Sequence, residues 1–150
     1  KIAWICARGP APQLHAARAR LELIADTYLS VATPTQLALP RLFELSKPVR
    51  AAIQARLARN LAQLKQALTA QSAVSLLDVE GGFYATLRVP SLQSEEEWVL
   101  ELLAKDSVYV QPGYFFDFAS EAYLVLSLLT PEARFDAGVS RLLARIAAHL

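Results

Sequence analysis

Apolar residues recur at helical spacing along three stretches of the chain. From Pro12 onward they fall three or four residues apart, and the same interval appears over residues 47–70 and after Pro131. Positions three and four apart lie on one face of an α-helix, so this pattern predicts three amphipathic helices. The middle stretch shows it most clearly, with an opposite face of Gln, Arg and Lys and an apolar stripe of Val49, Ile53, Leu57, Leu61, Leu64 and Leu68.

Capping residues and prolines indicate where the helices begin. Ser46 and Thr130 stand directly before the second and third helices, and each is followed by a proline within the first turn. Serine and threonine are favoured N-caps, and proline is tolerated in a first turn. Pro40 predicts that a shorter helix over residues 34–45 is bent or broken. We expect the last helix to bury one apolar face, formed by Phe135, Val139, Leu142, Ile146 and Leu150.

Two kinds of apolar run predict strands. Residues 1–7 and 123–129 are almost continuously apolar, which is typical of buried strands. Residues 83–89 alternate between apolar and more polar side chains, as in a sheet with one wetter face. We also expect strands at residues 73–79 and 107–110.

Local motifs connect these elements. Gly81 and Gly82 separate two predicted strands, and glycine adopts the positive φ that such turns use. Ser94 with Glu97 forms a capping-box pattern before an apolar run, and the carboxylates of Glu95, Glu96 and Glu97 suit the positive end of the helix dipole. These three glutamates are therefore better explained by capping than by catalysis or metal binding. The sum is an α/β fold: a two-layer small domain with a mainly antiparallel sheet packed against long helices.

Composition narrows the classes of partner. The chain of 150 residues has room for a real core, and its net charge of +1 creates no global field toward nucleic acid or a membrane. No apolar run reaches transmembrane length, so we expect neither partner. The single cysteine, Cys6, is expected to be a buried small hydrophobe, and nothing indicates an oxidising compartment. The chain has no methionine and starts within an apolar run, so we expect it to be part of a longer protein.

The residues alone indicate little chemistry. His15 and His149 lie far apart without a nucleophile motif beside them, and neither metal-ligand spacing nor a glycine-rich phosphate loop occurs. We therefore predict no catalytic residue and no metal site. The turns at Gly81-Gly82-Phe83-Tyr84 and Pro112-Gly113-Tyr114-Phe115 are the best binding candidates, although the residues alone favour ordinary turns with aromatic residues over a core.

The order of motifs resembles a known family. The Gly81-Gly82-Phe83 strand, a capped helix, the segment 108–116, an apolar strand and the helix after Pro131 follow one another as in the carboxy-terminal small domain of fold-type-I, pyridoxal-phosphate-dependent aminotransferases. The resemblance implies that residues 1–45 form the junction between the large and small domains and that residues 46–150 form the small domain.

It also implies a function for the parent protein. That protein would be a cytoplasmic homodimer that uses pyridoxal 5′-phosphate to move an amino group between an amino acid and a 2-oxo acid. The Schiff-base lysine would lie in an amino-terminal large domain outside this chain, so the chain alone is expected to be inactive. Two alternatives remain open: a related pyridoxal-phosphate lyase, or the aminotransferase-like effector domain of a transcription regulator. A free-standing module that binds a protein partner through its apolar helices is a third possibility.

The resemblance assigns roles to a few residues. Lys1 stands where the family usually places an arginine on the cofactor phosphate. Gly82, Phe83 and Tyr114 belong to loops that face the substrate. Val125 occupies the position of the arginine that commonly holds the substrate α-carboxylate. No obvious arginine replaces it, and Arg88 and Arg134 are candidates only by their proximity in the sequence. The departure points either to a substrate other than an ordinary α-amino acid or to a carboxylate contact outside this chain.

Overall fold

The computed structural model describes residues 2–28, 30–69, 73–120 and 122–150. Two compact units result, one ending at Val49 and the other running from Arg50 to Leu150. The predicted division into residues 1–45 and 46–150 stays a prediction. The helices are α1 (Ala11–Thr27), α2 (Thr33–Leu68), α3 (Glu95–Asp106) and α4 (Glu132–Ala147). The strands are β1 (Ser75–Leu76), β2 (Tyr84–Arg88), β3 (Gln111–Pro112) and β4 (Tyr123–Ser127), with a 3-10 turn at Gly113–Phe116.

The second unit is built around an antiparallel sheet of order β1-β2-β4-β3. The pairing of β2 with β4 is the longest, and places Tyr84 opposite Ser127 and Arg88 opposite Tyr123. On the other side of β4, β3 places Gln111 opposite Val125. Directly opposed residues of antiparallel strands project to the same side, so this register sorts the side chains into two faces.

One face of the sheet forms the core with the helices. Leu87, Leu124 and Leu126 are buried there because alternate residues of β2 and β4 point to the same side. Leu64 of α2 and two residues of α3, Trp98 and Leu102, pack into the same cluster. The helix α4 adds Phe135, Val139, Leu142, Leu143 and Ile146. The predicted fold class, a two-layer α/β domain with an antiparallel sheet against helices, is confirmed.

Helix α2 differs from its prediction. It runs without interruption from Thr33 to Leu68 with Pro40 and Pro48 inside it, so a break at Pro40 is wrong, whereas a bend there stays a prediction. Ser46 is therefore not an N-cap; its hydroxyl donates to the Phe43 carbonyl oxygen at 3.0 Å. A proline removes one backbone donor, which disfavours a helix locally, but the hydrogen bonds of the neighbouring turns remain to carry it through.

The amino-terminal run also differs. Residues 2–8 form no strand; Trp4 and Ile5 are 63% and 73% exposed, and Cys6 is exposed rather than buried. A strand needs a neighbour to accept its backbone hydrogen bonds, and the described part of the chain places none beside this run. Helix α1 forms as expected, yet none of its residues is buried.

Several element ends shift by a few residues. The strands expected at 73–79 and 107–110 are reduced to β1 and displaced to β3, respectively. Pro131, not Thr130, occupies the N-cap position of α4, and the Thr130 hydroxyl donates to the Ser127 carbonyl oxygen at 3.2 Å. Leu150 is 70% exposed, because α4 ends at Ala147 before its apolar face reaches that residue. Among the described helices, none is both long enough and apolar enough to span a bilayer.

The hydrogen bonds of Glu101 on α3 make the stability of the fold depend on pH. Hydrogen bonds that the Glu101 carboxylate accepts from Lys105, Gln93 and His149 lower its pKa from the usual 4.5 to about 2. Because the folded pKa is the lower one, this contribution to stability is complete above pH 4.5 and is lost as the pH falls toward 2. We expect urea unfolding at pH 2–6 to show a decline of the free energy of unfolding over this window, and a smaller decline for Glu101→Gln. An equal decline in both proteins would contradict this assignment.

Candidate functional site

The face of the sheet opposite the helices is the candidate functional surface, here called the open face. Its side chains alternate with the core residues along each strand and come together through the strand register. The open face consists of Tyr84, Thr86 and Arg88 of β2, Gln111 of β3, and Tyr123, Val125 and Ser127 of β4.

Val125 lies at the centre of the open face. Thr86 flanks it on one neighbouring strand and Gln111 on the other. It is only 2% exposed although it points away from the helices. The side chain that the resemblance places at the substrate carboxylate is thus an apolar one in the middle of the face.

Aromatic rings stand at both ends of the open face. At one end, the ring centroids of Tyr84 and Phe116 are 5.7 Å apart with the rings edge to face. At the other, Phe118 stacks on Tyr123 at 4.5 Å. The 3-10 turn and the residues after it therefore bring two rings onto the sheet, one to each end of the β2–β4 pair. Such a surface suits a small ligand with apolar and polar parts.

The turn before β2 borders a cavity of about 620 Å³. Gly82 has a φ of 82°, which a residue with a side chain adopts only under strain. Phe83 is 50% exposed, and its carbonyl oxygen accepts a hydrogen bond from the Leu128 amide at 2.8 Å. The other wall is part of α2, where Arg50, Ile53, Gln54, Leu57, Ala58 and Leu61 line the cavity.

The predicted loop residues lie on two segments that meet. Gly82 and Phe83 lead into Tyr84, and Tyr114 belongs to the 3-10 turn that carries Phe116. The contact between Tyr84 and Phe116 joins the two segments at one end of the open face. Tyr114 itself is 51% exposed. The role of Gly82, Phe83 and Tyr114 toward a substrate stays a prediction.

A buried carboxylate holds the 3-10 turn in place. Glu95 is 2% exposed and accepts hydrogen bonds from the backbone amides of Tyr114, at 2.9 Å, and Tyr123, at 2.7 Å. At Gly113 an added Cβ would lie 2.8 Å from Glu95 Oε1 and 2.7 Å from Tyr123 Cβ, so only glycine fits. The capping box itself is confirmed and belongs to Ser94 and Glu97. Glu95 thus positions the aromatic segment, a role that the sequence did not indicate.

Glu95→Gln should loosen this segment. The amide replaces one accepting oxygen by a donor and leaves a buried backbone N–H without a partner, at an expected cost of about 2 kcal/mol in the free energy of unfolding. Glu96, the exposed neighbour of Glu95, supplies the matched control. Glu96→Gln should change the free energy of unfolding by less than about 0.5 kcal/mol. Urea unfolding measures both, and equal values for the two variants would contradict the role of Glu95.

The arginines proposed as substitutes for the carboxylate-binding residue lie on different sides of the sheet. Arg88 is on the open face, exposed, in the strand next to Val125 and one pair along. Arg134 is on α4 and lines a second cavity together with Leu64 and Leu87 of the core. Diagonal neighbours on one face of a sheet are roughly 7–8 Å apart, within the reach of an arginine. Only Arg88 of these two shares a face with Val125.

Lysines and clusters of metal-ligating side chains are the groups that would bear on a cofactor or metal site. Lys1 lies outside them, so its predicted contact with a phosphate is not addressed by the structure. The described lysines, Lys47, Lys65 and Lys105, are exposed on α2 and α3 and not on the open face. Within the same residues no group of three or more His, Cys, Asp or Glu side chains could hold a metal ion.

Comparisons with solved structures identify the fold. The chain is similar to an aminotransferase from Mycobacterium tuberculosis, with a TM-score of 0.73, 20% identity and coverage of 87% of this chain and 35% of that one. It is also similar to aspartate aminotransferases from Rhodobacter sphaeroides (TM-score 0.71, 23% identity, 87% and 33% covered) and Thermotoga maritima (0.66, 19%, 91% and 34%). The fold is therefore that of part of an aminotransferase, and the chain spans about a third of the length of these three.

No protein-family model matches the chain, and no curated protein matches it by sequence. With identities below 25%, the structural similarity establishes the fold but not the reaction, which depends on the side chains of the site.

Proposed function

We propose that the chain is the carboxy-terminal part of a pyridoxal-phosphate-dependent aminotransferase, and that its open face forms one wall of the substrate pocket. The observation that supports this most is the coverage: the similarity to aminotransferase structures extends over 87% to 91% of this chain in the three comparisons above. The open face adds a surface of suitable chemistry, with aromatic rings at both ends, polar side chains and one exposed arginine. The reaction is the transfer of an amino group between an amino acid and a 2-oxo acid.

The cofactor is assigned to the rest of the protein. Since no described lysine lies on the open face, we propose that the imine lysine and most groups around the cofactor belong to an amino-terminal large domain. Lys1 stays a candidate for the cofactor phosphate. On this proposal the chain alone binds no cofactor covalently and does not catalyse. The homodimer and the cytoplasmic location implied by the resemblance belong to the same proposal.

Within this proposal, Arg88 holds the substrate carboxylate. An apolar side chain such as Val125 cannot bind a carboxylate, whereas a guanidinium offers it two parallel hydrogen bonds. The strand register places Arg88 on the same face and one pair along. The carboxylate would therefore lie nearer to β2 and to Tyr123 than in a protein with an arginine at position 125. The aromatic rings at the two ends would then exclude water from the rest of the substrate.

Mapping the cofactor in the complete protein tests the assignment. Borohydride reduction fixes an imine-linked cofactor to its lysine, and mass spectrometry of the peptides then locates it. We expect one modified lysine outside residues 1–150 and none in the isolated 150-residue chain mixed with pyridoxal phosphate. A specific modification at Lys47, Lys65 or Lys105 would contradict the proposed division, and absence of the cofactor from the complete protein would contradict the function.

A further inference from the structure

A second cavity, of about 550 Å³, lies on the helix side of the sheet, opposite the open face. Its walls are α4, the segment 107–110, Leu87 of β2, and the end of β4 with Thr130, where Ser127 also lines it. Leu126, Phe135 and Val139 form an apolar floor with 4–7% of their surface exposed, whereas Leu64 and Leu87 are fully covered. The exposed side chain of Tyr109 also lines the cavity. A volume of this size is typical of sites for small molecules, and this lining favours a hydrocarbon group.

The charged residues that line this cavity are both cationic. Arg134 and Arg141 lie seven residues apart on α4, which is about two turns, so they stand on one side of the helix. Between them, Ala137 and Gly138 leave a gap in the side chains. A Cβ added at Gly138 would meet nothing within 4 Å, so the space in front of it is open.

The nearby acidic residues are bound elsewhere. Glu132 and Asp136, also on α4, pair with Arg59 of α2 at 3.3 Å and 2.6 Å and do not line the cavity. Asp106 pairs with Arg145 at 2.8 Å. The acidic groups of this region thus face other cations, and the cavity itself has a positive rim over an apolar interior.

Arg141 is held at this rim. Its Nη1 donates to the Asp106 carbonyl oxygen at 3.1 Å, next to the segment 107–110. A guanidinium has five N–H donors, so others stay available for a ligand. Fixing the group in advance lowers the entropy cost of binding an anion.

We propose that this cavity binds an amphipathic monocarboxylate, with the hydrocarbon chain against Leu126, Phe135 and Val139 and the carboxylate between Arg134 and Arg141. Contact with this apolar floor favours a hydrocarbon chain, and hydrogen bonds to the guanidinium groups select an anion over a neutral or cationic head group. The site is distinct from the proposed substrate wall, because Arg88, Val125 and the aromatic rings of the open face do not line it, and Ser127 at the end of β4 is the residue that the two surfaces share.

Calorimetric titration of the 150-residue chain with sodium octanoate tests the proposal, with 1-octanol and octylamine as head-group controls. We expect octanoate to bind at one site and at least about 10-fold more tightly than either control, and double substitution of Arg134→Gln with Arg141→Gln to remove that preference. Gly138→Leu places a side chain in the cavity between the two arginines and should weaken octanoate binding at least about 10-fold, whereas Ala144→Leu, at an exposed position on the same helix outside the cavity, should leave the binding unchanged.

Three results would overturn the proposal: no octanoate binding at millimolar concentration, equal binding of octylamine, or binding that Gly138→Leu leaves unaltered. Circular dichroism of each variant separates loss of the site from loss of the fold. The arginine variants change only exposed side chains, so they keep the test decisive even where Gly138→Leu destabilises the domain.

Discussion

Replacing Trp98 by alanine should cost about 3–5 kcal/mol in the free energy of unfolding. The indole is fully buried in the core, its ring meets His149 edge to face at 4.9 Å between centroids, and its Nε1 donates to the Pro90 carbonyl oxygen at 3.4 Å. Truncation therefore removes the largest buried side chain, opens a cavity between α3 and the sheet, and leaves a carbonyl without this donor. Urea unfolding followed by far-UV circular dichroism measures the change.

The matched control lies on the same helix. Leu100 is 56% exposed, so Leu100→Ala should cost less than about 1 kcal/mol, chiefly through a small loss of packing. Comparable losses for Trp98→Ala and Leu100→Ala would mean that α3 does not pack through the face described here.

Substituting Arg88 by glutamine should raise KM for the amino acid by about 10- to 100-fold in the complete protein. The expected size follows from the hydrogen bonds of a charged group, which contribute about 1.5–3 kcal/mol. The glutamine keeps a polar side chain on β2 and loses the positive charge and the bidentate geometry. Steady-state kinetics with an amino acid and its amine counterpart, which lacks the carboxylate, would show a large effect for the first and a small one for the second.

Arg134→Gln is the matched control, because it also removes one positive charge. Arg134 lies on the helix side of the sheet, so this variant should leave both kinetic constants within about two-fold, which corresponds to less than 0.5 kcal/mol. A larger effect on KM from Arg134→Gln than from Arg88→Gln would place the carboxylate on the wrong side of the sheet for the present proposal.

Much of the second unit could be predicted from local patterns. The alternation along β2, the apolar run of β4 and the capping box before α3 specify each element through neighbours a few residues away, and all three are confirmed. The first unit was harder to predict from local patterns. The run at residues 2–7 has the composition of a buried strand, but burial depends on a partner surface and not on composition. The continuity of α2 through Pro40 was missed because local rules consider only the turn that a proline disrupts. They do not include the other hydrogen bonds of a helix of 36 residues.

The open face could be predicted only in part. The turns at Gly82 and at Gly113 could be identified from their glycine and aromatic residues. The register of β2 with β4 could not, because it depends on how distant strands pair. That register places Arg88, and not Arg134, on the same face as Val125. Glu95 was assigned to capping because its true partners, Tyr114 and Tyr123, lie 19 and 28 residues away.

Asn60 of α2 is a second polar residue whose role the sequence analysis did not single out. It is fully buried and donates to the carbonyl oxygens of Leu128 and Thr130, at 2.9 Å and 2.8 Å. Such polar residues tie distant backbone segments together, and a pattern of nearby residues carries no sign of their partners.

The amino-acid half-reaction of the complete protein tests the central claim most directly. In this measurement the near-visible absorption band of the bound cofactor is recorded before and after a mixture of amino acids is added. We expect a shift to the aminated form of the cofactor and its reversal by a 2-oxo acid. A bound cofactor that stays unchanged in every mixture would contradict an aminotransferase and favour an effector domain or a lyase, and a protein without the band would contradict the proposed cofactor itself.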